Sequence, residues 1–140
     1  MGAFVAFAMF AAIAHANIII TGLTSTATLG PPTNLLNATV ESVLNPDAVP
    51  GNLTVTTSAT GFSPIVSDIL TAASGNFVGA TGSTITFSWY IDRNNTIVAT
   101  TELVDSFTFT ALDADESFSH NLTVDLLTDI SSLYSMTLQV

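Results

Sequence analysis

The chain has 140 residues, 48% of them hydrophobic and only 9% charged, and eleven acids against the single base Arg93 give a formal net charge of −10. With no Lys there is no cationic surface to displace counterions from a nucleic acid or to sit on anionic lipid headgroups, so nucleic-acid binding is excluded. With no Cys there is neither a disulfide framework nor thiolate chemistry, and the length suits one domain with a real core.

Solubility is carried instead by hydroxyls: 14 Ser and 22 Thr occupy 36 positions. Thr is a strand former, which points toward β structure. Every acid lies at or beyond Glu41, so the first forty residues carry no side-chain charge.

Residues 1–16 are rich in Ala, Met and Phe, with only Val5 and Ile13 β-branched, a composition that predicts a helix. Phe4, Phe7 and Ala11 would line one face, while Val5, Met9 and Ile13 cover the rest. A helix that is apolar all round is buried all round. Continued through Leu23 it would be roughly 33–35 Å long, the thickness of a bilayer core. Gly30-Pro31-Pro32 then ends any helix or central strand.

Beyond Asn34 the period changes to two. Residues 53–58 and 65–70 are short strand candidates. Residues 84–91 and 96–104 flank Asp92-Arg93-Asn94-Asn95, a hairpin-turn sequence. In 106–111, Phe107 and Phe109 alternate with Thr108 and Thr110. In 118–127, Phe118, Leu122, Val124 and Leu126 oppose Ser119, Asn121, Thr123 and Asp125; in 134–140, Tyr134, Met136, Leu138 and Val140 share a face. The expected fold is α+β: a long apolar N-terminal α-helix and uncharged linker over 1–29, then a Thr-rich antiparallel β-sandwich or partial barrel over 30–140.

Four N-x-[ST] sequons begin at Asn37, Asn52, Asn94 and Asn121. Asn121 falls on the polar side of its strand, Asn94 in the turn and Asn52 just before a strand, outward positions of the kind a glycan needs. Asp113, Asp115 and Glu116 form the one acidic cluster, but neither the glycine nor the distal glutamate of an EF-hand loop accompanies them, so they read as a solvated loop. His120 lies mid-strand on the apolar side, as a partly buried structural histidine; no G-x-S-x-G elbow accompanies it. His15 in an apolar helix needs a carbonyl partner or marks where the helix meets water. Trp89 and Tyr90 read as core and rim, and Arg93 as the partner of an acid in this or a neighbouring subunit. No catalytic residue, cofactor site or metal-ligand spacing is expected.

The opening MGAFVAFAMFAAIAHANIII therefore decides the function. A secretory signal would explain Ala14-His15-Ala16 as a cleavage site, yet the positively charged n-region is missing. A plain membrane anchor lacks the flanking Lys or Arg that sets topology. The stretch GAFVAFAMFAAIAHANIII, with an uncharged linker and a β domain behind Gly30-Pro31-Pro32, resembles type IV pilins and their archaeal relatives, the adhesion pilins and archaellins. That resemblance implies a basic leader removed by a prepilin peptidase. It also implies an apolar helix that first anchors in the membrane and then forms the core of an extracellular adhesion filament. Val5 stands where bacterial pilins carry glutamate, and there is no Cys pair for their C-terminal loop, so the archaeal branch is favoured. The partners implied are further copies of the chain, N-linked glycans and, before assembly, the membrane. Phe4, Val5, Phe7, Met9, Phe10, Ala11 and Ile13 would form the assembly interface. One alternative is a surface filament in which each subunit donates a strand, residues 18–29, to the next. Another is a secreted carbohydrate-binding β module, which needs an aromatic platform. The conformation of residues 2–20 separates the first two.

Overall fold

A computed structural model describes residues 5–10 through their backbone, and residues 18–29, 34–46 and 50–140 in full; every regular element among them is a β-strand. In chain order these are β1 (Val5–Phe10), β2 (Ile19–Thr21), β3 (Thr24–Thr28), β4 (Leu35–Thr39), β5 (Ser42–Leu44), β6 (Thr54–Phe62), β7 (Val66–Val78), β8 (Thr84–Asp92), β9 (Glu102–Thr110), β10 (Asp115–Ile130) and β11 (Tyr134–Gln139). The main sheet has the order β1-β6-β11-β8-β9 and is antiparallel throughout. The remaining strands form three two-stranded ribbons, β7–β10, β3–β4 and β2–β5.

Alternation along the strands explains the layering. Ala59, Phe62, Ile91, Ile130 and Tyr134 are buried together, and Ala27, Leu36, Ile69 and Leu126 of the ribbons pack on them from the other side. Phe62 and Tyr134 hold their rings 5.5 Å apart. Asn34 donates from Nδ2 to the Tyr134 hydroxyl at 3.2 Å and to the Ser63 carbonyl at 2.7 Å, which ties the start of β4 to the main sheet.

Between β8–β9 and the β7–β10 ribbon the core is aromatic. Phe118 sits among Phe109 at 5.3 Å, Phe87 at 5.7 Å, Phe77 at 6.0 Å and Phe107 at 6.2 Å. The ribbon register places Gly75 opposite Phe118. A Cβ there would come within 2.7 Å of the Phe118 ring, so glycine makes the room the ring occupies.

The long apolar α-helix expected over the N-terminal region is absent among the described residues, whose elements are all-β rather than α+β. Val5–Phe10 is a strand, as are Ile19–Thr21 and Thr24–Thr28. An unbroken apolar run has no period, and β6 offers a full row of backbone partners, a tertiary gain that overrides the helix propensity of Ala, Met and Phe. Phe4, Ala11, Ile13 and His15 lie outside the described residues. Within 18–29, the segment considered for donation, β2 pairs with β5 and β3 with β4 of the same chain.

A second difference lies after β8. Residues 96–101 are not strand, and the expected strands 96–104 and 106–111 are replaced by the single strand β9. Asn95 and Val98 both take φ near 59°, where a strand cannot continue. Asp92, 3% exposed, accepts from the Thr96 amide at 2.8 Å and from Thr101 Oγ1 at 3.1 Å, holding both ends of the loop. The loop lies over β6 and β11: the Val98 amide donates to Ser58 Oγ at 2.9 Å, and Ser135 Oγ donates to the Thr96 carbonyl at 2.6 Å. Arg93 forks onto Glu102 at 2.9 and 3.1 Å and reaches the Thr128 and Asp129 carbonyls at 2.9 and 3.2 Å. The chain's one base thus joins the turn, β9 and the end of β10.

Candidate functional site

The β6 sequence TVTTSATGF is rich in Thr and Val, and its five residues from Val55 to Ala59 are all buried. One side of β6 ladders to β11, closed at its end by reciprocal Val55–Val140 backbone bonds of 2.7 and 2.8 Å. The other side ladders to β1, from Val5 opposite Ala59 to Phe10 opposite Thr54. Because Val55 exchanges its bonds with Val140, the alternate residues Thr54, Thr56 and Ser58 turn their amides toward β1. Phe7 and Thr57, and likewise Met9 and Val55, are therefore non-hydrogen-bonded pairs, with Cα atoms close together. Thr57, 1% exposed, also shares a hydroxyl hydrogen bond with Ser25 of β3. Ser58 Oγ is bonded to the Met136 carbonyl at 3.0 Å and to Thr137 Oγ1 at 2.9 Å. Without a strand on this side, the backbone groups of Thr54, Thr56 and Ser58 would stand as an unpaired edge open to strand addition. Among the described residues, β1 is what covers it.

The opposite edge, β9, is built differently. The β8–β9 register shifts between Trp89 and Tyr90, so Trp89 faces Asp105 while Tyr90 faces Leu103. The bulge turns both Val104 and Asp105 inward. A bulge and an inward-pointing charge are the devices by which natural sheets discourage further strand addition.

Asp105 is also one end of a polar clasp between the layers. Its Oδ2 accepts from His120 Nε2 at 2.6 Å and from Thr71 Oγ1 at 2.5 Å, and Thr71 also reaches the Leu122 carbonyl at 3.2 Å. The His120 and Asp105 side chains are 18% and 9% exposed. The imidazole is stacked between Phe107, 4.6 Å away, and Trp89, 5.6 Å away. Thr71 bonds the carboxylate and not the imidazole, so both donors converge on one carboxylate oxygen between β7, β9 and β10. The three residues act as a structural tie.

Burial pushes the Asp105 carboxyl up, but the Thr71 and His120 hydrogen bonds outweigh it and hold it below the usual carboxylate range. A carboxyl depressed in the folded chain contributes stability that is full above its unfolded value near ~3.9 and is lost as pH falls through the folded value. The stability gap between the natural chain and Asp105→Asn is therefore expected to be full at neutral pH and to shrink below about pH 4. Denaturant unfolding across that range checks it; a gap that grows on acidification contradicts it.

All four sequon asparagines are exposed: Asn37 on β4, Asn52 ahead of β6, Asn94 in the turn after β8 and Asn121 on β10 opposite Ala72. The acidic loop is held by backbone amides, with Leu112 N donating to Glu116 Oε2 at 2.8 Å and Gly79 N, just after β7, to Asp115 Oδ1 at 3.3 Å. Among the described residues no group of three His, Asp or Glu is placed to hold a metal, and no helix is long and apolar enough to cross a membrane. A cleft of about 250 Å³ between β9 and β10, lined by Val104, Val124 and Leu126, carries acids at Glu102 and Asp125 but no base.

Position 105 follows from the alternation of Phe107 and Phe109, continued back by two residues, which puts an acid on an apolar face. His120 stands on an apolar face for the same reason. Two lone polar residues on facing apolar surfaces were the available signal for the clasp, and the sequence reading took up only the histidine. The β6 edge had no such signal, because a central strand and an acceptor strand look alike. No known family, characterised protein or solved structure matches the chain.

Proposed function

We propose that the chain is a structural subunit of an extracellular surface filament and that its N-terminal apolar segment joins subunits as a β-strand. The observation that carries this reading is β1 itself: residues 5–10 of the uncharged N-terminal segment are extended and laddered on the deepest strand of the sheet. The pilin-type polymer suggested by the sequence resemblance needs helices at these positions to bundle, so strand-mediated joining is the form of filament the fold supports. Exposed Ser and Thr pairs such as Thr84–Thr110 and Thr86–Thr108, each 2.9 Å apart, would form the hydrated outer wall together with the four sequons. A carbohydrate-binding module is less well supported, because Phe77, Phe87, Trp89, Phe107, Phe109 and Phe118 stack on one another rather than forming an open platform.

Sedimentation and electron microscopy of the purified full chain test the proposal. Filaments are the expected result, and a protein that stays monomeric at every concentration contradicts it. Mass spectrometry of native material is expected to find sugar mass on peptides containing Asn37, Asn52, Asn94 or Asn121. Bare asparagine at all four would remove the glycan part of the proposal.

A further inference from the structure

Resting on the filament reading, we infer that β1 is an exchangeable strand whose acceptor is the β6 edge of a second copy, and that the self-paired chain is the closed, non-polymerising form. The acceptor register is Val5 opposite Ala59 through Phe10 opposite Thr54.

Four observations meet at this place. First, β1 lies at the end of the sheet order, and its only ladder among the described residues is with β6, so it can leave without breaking any other pairing. Second, with β1 in place β6 is buried from Val55 to Ala59; loss of β1 leaves the Thr54, Thr56 and Ser58 backbone groups without their ladder, and an identical strand from another copy restores every bond. Third, the donor carries no charge, because all acids lie at or beyond Glu41, so entry into the slot buries no ion. Fourth, the other end of the sheet is guarded by the β9 bulge and the inward Asp105, leaving the β6 edge as the inviting one.

Chain geometry sets the direction of growth. Phe10 and Ile18 are eight positions apart in sequence, a tether that can span at most about 28 Å. Donor and acceptor are different surfaces of the subunit, so each copy gives one strand and receives one: passed on to a third copy the exchange grows an open chain, and returned to the donor it closes a dimer that would not sediment as polymer. Self-pairing occupies the acceptor and withdraws the donor together. It therefore acts as a latch on polymerisation.

The absence of Cys permits a direct test on the full chain. Phe7 and Thr57 are a non-hydrogen-bonded pair, the close spacing that a disulfide can bridge. Phe7→Cys and Thr57→Cys are prepared as separate variants, mixed, allowed to assemble and oxidised. The expected product is a covalent dimer of one copy of each, concentrated in the sedimenting fraction. The double variant Phe7→Cys/Thr57→Cys, oxidised as a monomer, is expected to lose sedimentable polymer and to regain it on reduction. Met9→Cys with Val55→Cys repeats both arms at a second non-hydrogen-bonded pair should the first perturb folding. Filaments that form without either cross-link, or an oxidised double variant that polymerises like the natural chain, overturn strand exchange while leaving the filament reading intact. Absence of filaments from the natural chain overturns both.

Discussion

Phe7→Glu is expected to abolish filaments and also to destabilise the folded chain by about 3–5 kcal/mol. Position 7 is the centre of β1 and stands opposite Thr57, which is 1% exposed. A carboxylate carried into the register beside buried Thr57 disfavours the β1 ladder, and loss of β1 leaves β6 amides and carbonyls unpaired. Ser119→Glu, on the exposed side of β10, is the control and is expected to stay within ±0.5 kcal/mol of the natural chain. Urea unfolding with sedimentation separates the strand from a helix-bundle polymer. A bundle loses its filaments while the β domain unfolds at an unchanged midpoint; a β1 strand loses both. Loss of polymer with no loss of stability would therefore contradict the strand.

Asp105→Ala is expected to cost about 1–3 kcal/mol, because it leaves the half-buried His120 ring and Thr71 Oγ1 without their shared acceptor. The pair spans the two layers, so its loss loosens the β7–β10 ribbon from β9. Replacing both ends, as Asp105→Leu with His120→Phe, is expected to recover most of that loss. A phenyl ring suits the space between Phe107 and Trp89, and no charge is left alone. A double-mutant cycle in urea measures the coupling. A single substitution costing under about 1 kcal/mol would mean that the clasp is solvated and not a tie between layers.

Much of the β domain was legible where one face is wet. Alternation placed β8, β10 and β11 because their Thr, Ser and Asn residues mark the outer side of each strand. It failed on 96–101, where Thr96, Ile97 and Val98 have strand propensity but Asp92 and Ser58 supply stronger local partners for the backbone. At β1 the reason was different. VAFAMF has no polar residue to set a period, and only the neighbouring strand makes it β. The sequons were readable as a motif, and the exposure of Asn121 followed from the same alternation. The clasp was half readable, since nothing in the sequence announces which strands the sandwich lays face to face.

The central claim is that the N-terminal apolar segment joins copies as a strand. Electron cryo-microscopy of filaments made by the full chain, at a resolution that traces the backbone, tests it most directly. The expected map shows an extended segment on the β6 edge of every subunit, continuous with the chain of its neighbour. A map in which residues 5–10 form helices bundled along the filament axis, with the β6 edge covered by something else, would contradict it.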